Sequence, residues 1–122
     1  MGFYIYMFVC ALLLPVCMLV LGRIWKSAPP GKINWAYGYR TRRSMASKDA
    51  WDFAHGFIGV LLRRVGLTAL VLSVVVMLVL GAITMETTPV AVVAVILVTL
   101  QFIPFIASAI LTERALKVKF GN

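Results

Sequence analysis

Three stretches of this chain carry no charged side chain at all: Gly2 to Gly22, Val65 to Met85 and Thr87 to Thr112. A helix rises about 1.5 Å per residue, so each stretch is long enough to cross a hydrocarbon core about 30 Å thick. A chain of 122 residues that is 62% hydrophobic and 13% charged lies outside the range of water-soluble domains. The expected fold is an all-α integral membrane protein of one domain, residues 1–122, with spans at about residues 2–22, 65–85 and 88–112. The first span is read as retained rather than as a secretory signal. Nothing basic precedes it, its apolar run is long, and no small-x-small cleavage site follows.

The charges are confined to the remaining segments. Of twelve Lys and Arg residues, nine lie between Arg23 and Arg64, and Arg114, Lys117 and Lys119 lie near the C-terminus. The turn between the second and third spans offers only Glu86. The positive-inside rule then sets the N-terminus outside, with the long loop 23–64 and the C-terminus in the cytoplasm. The net charge of +8 is read as this topology signal together with attraction to anionic membrane lipids, and a nucleic-acid role is set aside.

Little in the spans points to chemistry. Cys10 and Cys17 are two turns apart on one helix, about 10 Å along the axis, beyond the roughly 7 Å a disulfide tolerates. Two cysteines and one histidine make no zinc site, and no metal or cofactor is expected. Pro15 and Pro104 each remove a helix hydrogen bond. Gln101, near the middle of the third span, needs a partner in hydrocarbon: a carbonyl freed by the Pro104 kink, a neighbouring helix, or a ligand at an intramembrane polar site. No ionisable residue lies at depth, which weakens any pump or channel reading.

The informative residues are therefore in the loop. Ser27-Ala-Pro-Pro-Gly31 ends the first helix in a turn. Ile33, Trp35, Tyr37 and Tyr39 then alternate with Asn34, Ala36, Gly38 and Arg40, an extended pattern with one aromatic edge whose Trp35 and Tyr37 suit the headgroup layer. Arg40, Arg42 and Arg43 offer planar donor forks to a headgroup or an acidic partner. Ser47 is placed to cap a helix over about residues 48–64, with Asp49 in its first turn. That helix reads as amphipathic, with a narrow stripe of Lys48, Asp52, His55, Gly56, Gly59 and Arg63, and is expected to lie along the cytoplasmic interface between the first two spans. Its glycines admit a second backbone, for which the segment from Asn34 to Ser44 is the candidate. Asp52 and His55 have acid/base spacing. No nucleophile, phosphate-loop or zinc signature accompanies them, and no catalytic residue is assigned.

The run Asn34-Trp-Ala-Tyr-Gly38-Tyr-Arg40-Thr41-Arg-Arg-Ser44-Met45, followed by Trp51-Asp-Phe-Ala-His55, resembles the signature of the SdpI family. These are bacterial plasma-membrane immunity proteins that protect against secreted peptide toxins. The pattern is Asn, three residues, Gly, one residue, Arg-Thr and a small hydroxyl residue, then a Trp followed four residues on by His or Asn. The resemblance covers residues 30 to 60 closely, in a short form carrying the signature domain alone. It implies toxin (bacteriocin) resistance and, as in some members, signalling to a regulator. The motif and binding candidates are Asn34, Gly38, Arg40, Thr41, Ser44, Trp51, Asp52 and His55, expected to form one polar cluster at the cytoplasmic face, with Arg40 pairing Asp52 or an acidic ligand.

The leading expectation is a non-enzymatic immunity protein acting on a membrane-active peptide. Next come a membrane scaffold or signalling subunit that recruits an acidic soluble partner, and a small lipid-handling enzyme using Asp52, His55 and Arg40. Gly22, Gly66 and Gly81 suggest close helix contacts and, with them, a homo-oligomer.

Overall fold

The computed structural model describes residues 1–27, 31, 33 and 38–121. Among these it contains three helices and no strand: α1 (Gly2–Ser27), α2 (Lys48–Ile83) and α3 (Thr87–Phe120). All three are long and apolar enough to cross a membrane. With 36 and 34 residues, α2 and α3 are about 54 and 51 Å long, so both extend well beyond a hydrocarbon core about 30 Å thick. Their extensions gather at the basic end of the bundle, where α1 finishes, α2 starts and α3 finishes.

The segment from Lys48 to Arg64 is not a separate amphipathic helix between the first two spans; it forms the first turns of α2 and runs into the apolar stretch without a break. No proline interrupts α2, and its glycines cost helix propensity without ending the helix. Ser47 caps α2 at the expected place, its Oγ accepting from the Ala50 N–H at 3.0 Å. Only part of the narrow stripe turns inward, since Lys48, Asp52 and Arg63 are exposed. Gly59 and His55 are buried, together with Trp51, Ala54, Ile58 and Leu62.

The backbone that meets Gly59 in this stripe is that of α1, while Gly38 of the loop segment sits against His55. A Cβ on Gly59 would stand 2.9 Å from the Lys26 nitrogen, and one on Gly22 would stand 2.7 Å from the Gly59 carbonyl oxygen. Farther along, a Cβ on Gly66 would stand 2.7 Å from the Leu19 nitrogen. Small residues on facing positions let two membrane helices touch backbone to backbone, which adds dispersion contacts where no hydrophobic drive exists between helices. Gly81 plays a related part by receiving the Tyr4 ring, whose hydroxyl donates to the Met77 carbonyl at 2.6 Å. Gly22, Gly66 and Gly81 thus serve contacts within the chain.

The third helix closes the bundle. At the end away from the basic residues, Val90 packs with Tyr4, Ala11 and Met77, and at the basic end Leu116 packs with Ala50 and Ala54. Between them, Gln101 is 5% exposed and its Nε2 donates to the Ala11 carbonyl and to Ser73 Oγ, both at 2.8 Å. The Ala11 carbonyl is the one that Pro15, four residues on, leaves without a helix donor. The freed carbonyl therefore belongs to the proline of α1, not to Pro104 beside Gln101. One amide ties α3 to both other helices and satisfies that vacancy at depth.

Candidate functional site

The residues singled out in the loop and at the start of α2 meet at the basic end of the bundle. Asn34, Trp35 and Tyr37 lie outside the described residues; Gly38 to Ser44 lie within them. Thr41 to Met45 make a single turn, closed by the Met45 N–H donating to the Thr41 carbonyl at 3.0 Å. Inside it two hydroxyls cross-bond the backbone. The Thr41 N–H donates to Ser44 Oγ at 2.8 Å, and the Ser44 N–H donates to Thr41 Oγ1 at 3.1 Å. The Ser44 hydroxyl in turn donates to the Tyr39 carbonyl at 2.8 Å and is fully buried. A hydroxyl at each of two positions three apart satisfies backbone groups that no ladder reaches.

This turn sets Tyr39, which bridges two helices. Its backbone N–H donates to His55 Nε2 on α2 at 2.8 Å. Its phenol donates to Glu113 Oε1 at 2.7 Å and also lies 3.3 Å from the Ala109 carbonyl, both on α3. Arg43 adds a second tie, its Nη1 lying 3.4 Å from Glu113 Oε2. Burial first, then the bonded Glu113 carboxylate, push the Tyr39 phenol well above its ordinary pKa, so it remains a donor.

His55 is fully buried. Its Nδ1 lies 2.8 Å from the Trp51 carbonyl, which only accepts, while Nε2 faces the Tyr39 N–H, which only donates. The neutral tautomer with hydrogen on Nδ1 is the one form that satisfies both. The ring is boxed by Trp51 at 4.4 Å and Trp25 at 5.1 Å between centroids. Gly38 covers it with a backbone at φ 115°, and a Cβ there would stand 2.7 Å from His55 Nε2. Both the conformation and the space require glycine.

Asp52 stands apart from this cluster. It pairs with Lys48 one turn back on an exposed face, while His55 on the same helix points inward. Arg40 is exposed at the edge of the turn. Three contributors escaped the sequence reading: Trp25, Glu113 and the phenol of Tyr39. Glu113 had one usable signal, being the lone acid among Arg114, Lys117 and Lys119. Among the described residues, no three His, Cys, Asp or Glu side chains gather as a metal site would require. Beside the clasp, a groove of about 340 Å³ opens between the turn and α3, bordered by Thr41, Arg43, Arg114 and Lys117.

A helical membrane protein with three apolar helices, one long polar loop and a buried histidine clasp is the class these features define. The chain belongs to the SdpI/YfhL protein family, whose family model matches residues 31–110. Over 50 residues it is 42% identical to the uncharacterized protein YfhL of Bacillus subtilis (strain 168). That stretch takes in 41% of this chain and 46% of the relative, so the match spans about half of the relative's length. No solved structure matches the chain.

Proposed function

We propose that this chain is an immunity protein of the bacterial plasma membrane, protecting its cell against a secreted membrane-active peptide toxin. Membership of the SdpI/YfhL family over residues 31–110 carries the reading. The N-terminus then faces outward, and the loop and C-terminus face the cytoplasm, a reading supported by the distribution of basic residues. In this reading the motif from Gly38 to His55 acts as a clasp. It fastens α3 to α2 through Tyr39 and keeps the three helices in the arrangement that confers protection. The chain works without catalysis: Asp52 is engaged with Lys48, and both ring nitrogens of His55 are engaged with backbone groups.

The test is survival of a toxin-sensitive strain expressing the chain, challenged with a secreted membrane-active peptide, beside equally expressed Arg40→Ala and Gly38→Ala variants. Protection by the wild type, lost in Gly38→Ala together with monodispersity after membrane extraction, is the expected result. No protection by inserted wild type removes the immunity reading for that peptide. A normally folded Arg40→Ala variant that fails to protect makes the loop a binding site rather than a clasp. A second role, relaying toxin presence to an acidic soluble regulator, is favoured by Arg114 and Lys117 beside the groove at the clasp. Capture of such a regulator by the extracted protein, weakening as salt rises, is its expected signature.

A further inference from the structure

The groove beside the clasp changes character along α3. Ala109 and Ile110 lie at one end, Arg114 and Lys117 at the other, and Thr41 and Arg43 of the turn face them. Steps of four and three residues put Ile110, Arg114 and Lys117 in one line on the helix. The uncharged run of the third span stops at Thr112. Arg114 and Lys117 lie about 3 and 8 Å beyond it along the axis, which is the level of lipid headgroups, while Ala109 and Ile110 lie on the hydrocarbon side.

The charge of the groove is unbalanced in one direction. Arg43, Arg114 and Lys117 stand against Glu113 alone. Both oxygens of that carboxylate are engaged, Oε1 by the Tyr39 phenol and Oε2 by Arg43. Only Nη1 of the Arg43 guanidinium reaches it, at 3.4 Å, which leaves most of the donor fork unspent by Glu113. Arg114 and Lys117 are exposed, and among the described residues neither forms an ion pair.

A cationic rim next to an apolar wall suits a molecule with an anion at one end and hydrocarbon at the other. A phospholipid of net negative charge is such a molecule. Its phosphate matches the planar forks of Arg43 and Arg114, and the first carbons of an acyl chain cover Ala109 and Ile110. A zwitterionic headgroup brings an ammonium that meets no unengaged carboxylate here. A soluble acidic chain meets the rim and leaves the apolar end bare.

We propose that the groove between the turn and α3 is a site for one anionic phospholipid, its phosphate held by Arg43 on one side and by Arg114 and Lys117 on the other. Lipid in this place joins the loop to α3 beside the bond between Tyr39 and Glu113, and so stabilises the clasp. The inference rests on the charge and position of the groove and not on the immunity reading.

The test is native mass spectrometry of the full chain in a maltoside detergent, titrated with dioleoylphosphatidylglycerol and, separately, with the phosphatidylcholine of the same acyl chains. A single adduct of the anionic lipid is expected to form at least about tenfold more tightly than that of the zwitterionic one. Arg114→Gln combined with Lys117→Gln should bring that preference within about threefold. Arg23→Gln combined with Arg63→Gln removes the same charge from positions outside the groove and should leave the preference unchanged. All four side chains are exposed, so both double variants keep the fold. Phosphatidylglycerol should also raise the unfolding midpoint of the wild type and of the Arg23/Arg63 variant, and not that of the Arg114/Lys117 variant. No preference in the wild type overturns the proposal, and so does an equal loss in the two double variants, because the attraction is then diffuse. Displacement of the lipid by polyglutamate or by glycerophosphoglycerol at similar concentration overturns it too, and gives the groove to a soluble acidic partner or to a free phosphate ester.

Discussion

Tyr39 concentrates four of the clasp's bonds in one residue, and substitution of its phenol tests two of them separately from its backbone. Replacing the hydroxyl in Tyr39→Phe removes the bonds to Glu113 and Ala109 while leaving the N–H on His55. A hydrogen bond to a charged acceptor, here only partly shielded from solvent, sets the expected loss at about 1–2 kcal/mol in chemical unfolding. The phenol's pKa is raised on folding, so the folded state holds its proton more tightly than the unfolded chain. That contribution is intact below the ordinary phenol value of about 10 and fades as pH rises above it. Wild-type stability should therefore fall above about pH 10, and Tyr39→Phe should lack that component. Gly38→Ala strikes the same clasp through the backbone. A positive φ and a Cβ set against His55 should cost about 1–3 kcal/mol, read as a lowered unfolding midpoint. Of the clasp residues, Gly38, Thr41, Ser44, Trp51 and His55 are named by the motif that carries the resemblance to the SdpI family. Tyr39 is not legible as a bridge, because an aromatic in an alternating run beside a membrane reads as an interface anchor. Its partner Glu113 lies 74 residues away in sequence, a distance no local pattern spans.

Among the elements, the contact between α1 and α2 is set by glycine. Gly22 faces the Gly59 carbonyl and the Arg63 backbone, so Gly22→Leu has nowhere to place its side chain unless the helices part. The expected cost is about 2 kcal/mol, with loss of monodispersity on extraction as the measurement. Gly56, where a Cβ would meet no atom of the described residues within 4 Å, serves as the control, and Gly56→Ala should be neutral or slightly stabilising through helix propensity. The three spans are legible from hydropathy alone, since uncharged runs of that length have few other fates. The continuity of α2 is not. A stripe of polar and small residues reads as amphipathic whether it faces water or a neighbouring helix, and only the position of α1 shows that Gly59 and His55 look inward. Gln101 follows the same logic. Its need for a partner is legible, and its choice of the Ala11 carbonyl depends on Pro15 in another helix.

The molecule as a whole is a bundle closed by polar ties at two levels: the Gln101 amide at depth and the Tyr39 clasp at the basic end. Labelling of single cysteines placed at Met1 and Gly121 from either side of the membrane should find the first outside and the second inside, opposite to what an inverted topology gives. The loop fastens α3 through the contact between Tyr39 and Glu113. A double-mutant cycle on unfolding free energy with Tyr39→Phe, Glu113→Gln and the pair measures that contact directly. The expected coupling is about 1 kcal/mol or more. Effects that simply add, within about 0.3–0.5 kcal/mol, would contradict it.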